Sequence, residues 1–174
     1  MRMFETTATV TQNESNIPRR YAHYLQSMKM MRMMAVTIAV IGMILGVASL
    51  RYSVPAAVVC IVLFGAAAAI CIPVGSRMAK QVAANIYEDG DGVWMMTTWF
   101  ESDGIHREDE DGDVLSYPLD KLVCCHRAGD VLILCTGVQA VLPVNLTQLS
   151  ETDRGSVCER IEAGCPQMKM IRLQ

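Results

Sequence analysis

Two long uncharged runs occupy the front of the chain, and short alternating segments fill its back half. Met33 to Leu50 reads MMAVTIAVIGMILGVASL without a charge; Arg51 and Tyr52 interrupt, and a second uncharged run continues through Ser76. Crossing a bilayer core of roughly 30 Å takes about 20 helical residues. The pattern therefore predicts two membrane-spanning helices, 33–50 and 55–76. Two buried helices of a soluble domain are excluded, because the rest of the chain is too small and polar to wrap two helices apolar all round. A cleaved signal is excluded as well, since some thirty residues precede the first run and no A-x-A-like site precedes the polar turn after it.

The joint Arg51-Tyr52-Ser53-Val54-Pro55 is short, and Pro55 suits the first turn of a helix, where its missing N–H is no loss. The expectation is an antiparallel hairpin over 33–77. Gly42-x-x-x-Gly46 and Gly65-x-x-x-Ala69 place small residues at the spacing that lets helix backbones approach. They predict packing within the hairpin, with self-association through Gly42 and Gly46 as a second use.

Ahead of the hairpin, residues 1–32 hold two elements. Phe4 to Thr11 alternates loosely and is rich in β-branched residues, so it reads as a strand. A helix start falls at Asn13 to Ser15. Ile17 to Met31 reads as an amphipathic lead-in to the first span, with Tyr21, Tyr24 and arginines suited to an interface. The Met-rich patch around Met28 to Met34 is packing or lipid-facing material.

Residues 78–92 form a linker containing Asp89-Gly90-Asp91-Gly92, and 93–174 form a small, mostly β domain. Strands are predicted at Val93–Phe100, Gly104–Arg107, Val114–Tyr117, Lys121–Arg127, Val131–Cys135 and Gln139–Val144. Asp111-Gly112 is expected to make a two-residue hairpin turn. Ser150–Ala163 reads as a helix: Ser150 and Asp153 resemble a capping box, Val157 and Ile161 mark an apolar face, and Gly164-Cys165-Pro166 stops it. Met168–Leu173 is a tail or a further strand. The fold class is thus an α+β membrane protein, with a bent antiparallel sheet capped by a C-terminal helix.

Charge divides the chain. Residues 1–77 carry seven Lys/Arg against Glu5 and Glu14, a net +5, and residues 78–174 carry −8, together the whole-chain −3. Arg19, Arg20, Lys29 and Arg32 precede the first span, and Arg77 and Lys80 follow the second, while the loop between has only Arg51. The positive-inside rule places both termini in the cytoplasm of a multi-pass cell-membrane protein. Seven cysteines, an odd number, agree with a reducing compartment.

Candidate chemistry is sparse. Cys124 and His126 would share one face of a strand, with Cys125 on the other. A thiol–imidazole pair can make a nucleophile, but no orienting third group or oxyanion loop accompanies it, so half-buried strand thiols are the better reading. The run Glu108-Asp109-Glu110-Asp111-Gly112-Asp113 fails as a calcium loop because Pro118 stands where the bidentate Glu belongs. No Cys-x-x-Cys pair occurs. A β domain at −8 is repelled by the negative inner leaflet and by nucleic acid. The chain is therefore expected to have no catalytic, metal or cofactor residues, no nucleic-acid partner and no anionic-lipid headgroup site.

The order of strands before a closing helix resembles the pleckstrin-homology-like superfold. Ser102-Asp103-Gly104-Ile105, Tyr117-Pro118-Leu119-Asp120-Lys121-Leu122, Val131-Leu132-Ile133-Leu134 and Val141-Leu142-Pro143-Val144, following two apolar spans, make the chain similar to the YcxB-like family of bacterial membrane proteins. It departs from that family's pattern at Pro118, where tryptophan is usual, and at Val144 and Asn145. The resemblance implies fold and membrane residence but no activity. The functional expectation is a non-enzymatic, membrane-anchored cytoplasmic module that binds a protein partner through its β domain. The alternative is a small-molecule or ion sensor, or an accessory subunit of a transport assembly.

Overall fold

The computed structural model describes residues 2–137 and 140–165, and the backbone alone of 169–171. Strand β1 spans Met3–Thr11, helix α1 Gln12–Ser49 and helix α2 Val54–Ile86. Strands β2 (Val93–Phe100), β3 (Ile105–Glu108), β4 (Val114–Tyr117), β5 (Leu122–Ala128), β6 (Val131–Thr136) and β7 (Ala140–Asn145) follow. Helix α3 (Glu151–Gly164) and strand β8 (Lys169–Ile171) close the chain. The chain divides into a β unit, Met1–His23 with Ile86–Gln174, and a hairpin unit, Tyr24–Asn85.

The N-terminal strand belongs to the β unit. It pairs antiparallel with β2, Thr6 opposite Thr98 and Val10 opposite Trp94, so a helical hairpin is inserted between two neighbouring strands. The first sheet runs β1-β2-β3-β4 and the second β7-β6-β5-β8. Two sheets thus stand where one bent sheet was expected, and β8 lies parallel to β5. The sheets meet along β1 and β7, where Asn145 N–H donates to Thr6 Oγ1 at 3.3 Å and Thr7 N–H to Gln148 Oε1 at 2.7 Å.

Phe100, Ile105, Leu132, Leu134, Leu142 and Val144 form the main core, closed by Val157 and Ile161 of α3. Ile133 packs on the other side with Ala8, Val10 and Val141. Strand β6 is therefore covered on both faces, which is why Val131–Cys135 reads as an unbroken apolar run. Ser150 caps α3, accepting from Asp153 N–H at 3.2 Å and donating to Asp153 Oδ2 at 2.7 Å.

Helix α1 starts earlier than Asn13, on a capping box at Thr11 and Glu14. Glu14 N–H donates to Thr11 Oγ1 (3.3 Å), and Thr11 N–H donates back to Glu14 Oε2 (2.9 Å), satisfying two donors reciprocally. The linker is shorter than expected, because α2 stays helical to Ile86. What remains is fastened to the first turns of α1. Asn16 Nδ2 donates to the Glu88 carbonyl at 2.8 Å, Arg20 pairs with Asp89 at 2.9 Å, and Gln12 N–H donates to the Gly92 carbonyl at 2.7 Å.

Both helices are long and apolar enough to cross a membrane. Within the hairpin unit they point large apolar side chains outward: Val36, Ile44, Val47, Val62 and Leu63 are each more than 60% exposed. A water-soluble surface does not carry apolar area on that scale. The helices touch where their residues are small. A Cβ on Gly42 would strike Phe64, and one on Gly46 would lie 2.5 Å from Ile61 Cγ1. Gly42 and Gly46 thus lie against the chain's own second helix, the packing within the hairpin that their spacing predicts. Gly65 has nothing within 4 Å, so the Gly65–Ala69 pattern takes no part in the hairpin contact.

Candidate functional site

Three places in the β unit gather polar or reactive side chains. The Cys124–His126 segment is sealed. Cys124 packs with Ala22 and with Cys135, its partner across β5 and β6, and its thiol donates to the Pro18 carbonyl at 3.4 Å. Cys125 faces the main core, as strand alternation requires. His126 is buried, its Nδ1 without a hydrogen-bond partner among the described residues. The Cys124 thiol is pushed up first by its side-chain interaction with Cys135 and then by burial, and the same interaction moves Cys135 down. Burial, then the nearby Cys158, pushes Cys125 up to about 11. Neither Cys124 nor Cys125 is a thiolate near neutral pH, so neither is poised to attack.

That burial has a consequence for alkaline stability. The Cys125 value in the folded chain lies above its ordinary 9.0, so the neutral thiol favours folding. The contribution is whole below pH 9 and is lost as pH rises from 9 through about 11. At 1.36 kcal/mol per unit, the loss is about 2–3 kcal/mol. Urea titrations at pH 8 and pH 11 followed by tryptophan fluorescence measure it, and Cys125→Val should flatten that part of the difference. An unchanged difference in the variant would refute the assignment.

The second place is the open end of the first sheet. Among the described residues β4 pairs with β3 alone, and its Val114 and Leu115 are exposed. The connection before it is five residues, 109–113, longer than the expected two-residue turn. Asp109 Oδ1 accepts from Asp113 N–H at 3.1 Å, Gly112 N–H donates to the Asp109 carbonyl at 3.0 Å, and Gly112 adopts φ +81°. A side chain at Gly112 would be strained in that left-handed conformation. Asp109 also pairs with Arg107 (3.6 Å), and Glu110 Oε1 accepts from Met95 N–H (2.6 Å). Asp111 and Asp113 have no ion pair among the described residues. Beside this turn lies an open cavity of about 410 Å³, lined by Arg19, Trp94, Met96 and Arg107 as well as the acids. The Arg107 Nε is buried there without a hydrogen-bond partner among the described residues.

The third place is a cross-strand ladder on the same sheet. Trp99 of β2, His106 of β3 and Ser116 of β4 stand directly opposite one another. The His106 ring stacks on Trp99, with centroids 5.5 Å apart and planes 12° from parallel. The Arg2 guanidinium sits 4.0 Å from the Trp99 ring centroid, a cation–π contact. His106 Nδ1 and Ser116 Oγ are 2.7 Å apart, and His106 Nε2 lies 3.2 Å from Asp103 Oδ1. That hydrogen bond holds the Asp103 carboxyl below the usual carboxylate range. The tight turn 101–104 aims Asp103: Glu101 N–H donates to the Gly104 carbonyl at 2.9 Å, and a Cβ on Gly104 would run into the Tyr117 carbonyl. The linear pattern does not single these residues out, because only sheet register brings Asp103, His106 and Ser116 together.

No protein-family model, curated protein or solved structure matches the chain.

Proposed function

We propose that the chain is a membrane-anchored binding module whose β unit takes a protein partner as an added strand on β4. The carrying observation is the edge of β4 beside an acidic turn whose Asp111 and Asp113 have no ion pair among the described residues. An edge strand offers a row of unsatisfied N–H and C=O groups, which an extended segment completes. Asp111 and Asp113 favour a segment carrying Lys or Arg. Val114 and Leu115 add apolar contact.

In this reading the hairpin spans the cell membrane with both termini cytoplasmic. The basic residues flanking the spans, against the lone Arg51 between them, support that orientation. Cysteines without disulfides support it independently. Four strands, then three, then a helix support the pleckstrin-homology-like reading and, through it, the YcxB-like resemblance. The net −8 of residues 78–174 disfavours anionic headgroups and nucleic acid. The alternative, a sensor of a small molecule, draws its support from the 410 Å³ cavity.

A photo-crosslinking residue at Leu115 of the full chain in cells tests the edge. The expected result is one dominant adduct whose crosslinked peptide carries basic residues. It should fall at least ~10-fold in the Asp111→Lys/Asp113→Lys variant. Equal adducts from a crosslinker at Thr9, on the opposite edge strand, or indifference to charge reversal would sink the proposal.

A further inference from the structure

The donor set formed by Glu101, Asp103 and His106 takes none of its ligands from β4 and shares no residue with the acidic turn or the Val114–Leu115 surface. Its ligand atoms, one from each residue, all lie within 4.8 Å of one another. His106 is 8% exposed, and its ring cannot swing freely. Trp99, itself 3% exposed, covers one face, and Ser116 Oγ holds Nδ1 at 2.7 Å. With Nδ1 engaged from behind, Nε2 is presented to the carboxylates, 3.2 Å from Asp103 Oδ1. Metal-binding imidazoles are oriented this way, one ring nitrogen tied to a polar partner and the other facing the ion.

We propose that Glu101, Asp103 and His106 bind a single divalent transition-metal ion, with His106 Nε2 and one oxygen from each carboxylate as ligands. Bonds of about 2.0–2.2 Å place tetrahedral ligands about 3.4 Å apart. The His106–Asp103 separation already fits that spacing, and the three ligand atoms all lie within 4.8 Å of one another. One imidazole with two carboxylates and no thiolate suits a first-row ion such as Zn²⁺, Co²⁺ or Mn²⁺ better than Ca²⁺ or Mg²⁺. Asp103 is 69% exposed in its side chain, so the remaining coordination positions face solvent. Ser116 is a positioning residue, acting through His106.

The test uses Co²⁺ and the full chain in detergent, because cobalt's visible spectrum separates nitrogen and oxygen ligation from thiolate ligation. This matters in a chain with seven cysteines. The expected result is one Co²⁺ per chain, with d–d bands and no sulfur charge-transfer band. Affinity should fall at least ~10-fold in Asp103→Asn and in Glu101→Gln. Asp103 is exposed, so its variant tests the site without disturbing the core. Ser116→Ala should weaken binding while leaving one site. Absence of a spectrum at millimolar Co²⁺, a thiolate-type spectrum, or affinity unchanged in both carboxamide variants would overturn the proposal.

Discussion

Replacing Phe100 with alanine should destabilise the β unit by about 3–5 kcal/mol, the range for removing a large buried aromatic. Phe100 is fully buried, meets Ile105, Leu132 and Leu142 in the main core, and has Phe4 edge-on at a centroid distance of 6.2 Å. Phe4 lies in β1, at φ +54° and at the point where the β1–β2 register shifts. The loss therefore also loosens the strand that precedes the hairpin. The chain's two tryptophans, Trp94 and Trp99, both lie in the β unit, so their fluorescence in a urea titration reports that unit alone. Phe4→Ala should give a smaller loss through the same probe. A change under about 1 kcal/mol for Phe100→Ala, the ordinary scale of surface substitutions, would contradict the core as described.

The second large effect distinguishes a bilayer helix from a surface helix by its size and sign. Leu63 lies near the middle of the second apolar run, 62% exposed. If it faces lipid, Leu63→Asp should make insertion of that span less favourable by about 3–4 kcal/mol, the cost of Asp plus the lost Leu contribution, measured with the span in a microsomal insertion assay. If it faces water, the same change should stay within about 0.5 kcal/mol or improve solubility. Ile41→Asp, exposed at the middle of the first run, should behave as Leu63→Asp does.

Local signals in the sequence located most elements. The apolar runs, the strands at 93–100 and 114–117, and the Ser150 cap each depend on neighbours within a few residues, and the structure has them where the pattern put them. What was not legible depends on distant pairing. Thr6 opposite Thr98 joins residues separated by the whole hairpin, and nothing near Phe4 or Val93 announces it. Apolar length alone also hid the end of α2. Residues 78–86 carry Lys80 and polar side chains yet continue the helix, because no glycine or proline stops it before Gly90. The Thr11-x-x-Glu14 cap was readable but masked by the more polar Asn13–Ser15. The strand expected from Gln139 begins, among the described residues, at Ala140; Gln139 lies outside them, as do Pro166, Met168 and residues 172–173. The ladder from Trp99 to Ser116 had no linear signature, since its members are scattered over eighteen residues and meet only through register.

Cys158 provides the most direct measurement of the central claim, a bilayer-anchored chain with its β unit in the cytoplasm. It is an exposed cysteine of the β unit, whereas Cys124, Cys125, Cys135 and Cys165 are buried. Cells expressing the full chain would be treated with a membrane-impermeant thiol reagent, intact and after opening, with Cys158→Ser as the control. The account predicts a chain that stays with the membrane fraction and labels at Cys158 only after opening. Labelling of Cys158 in intact cells would place the β unit outside and contradict the account.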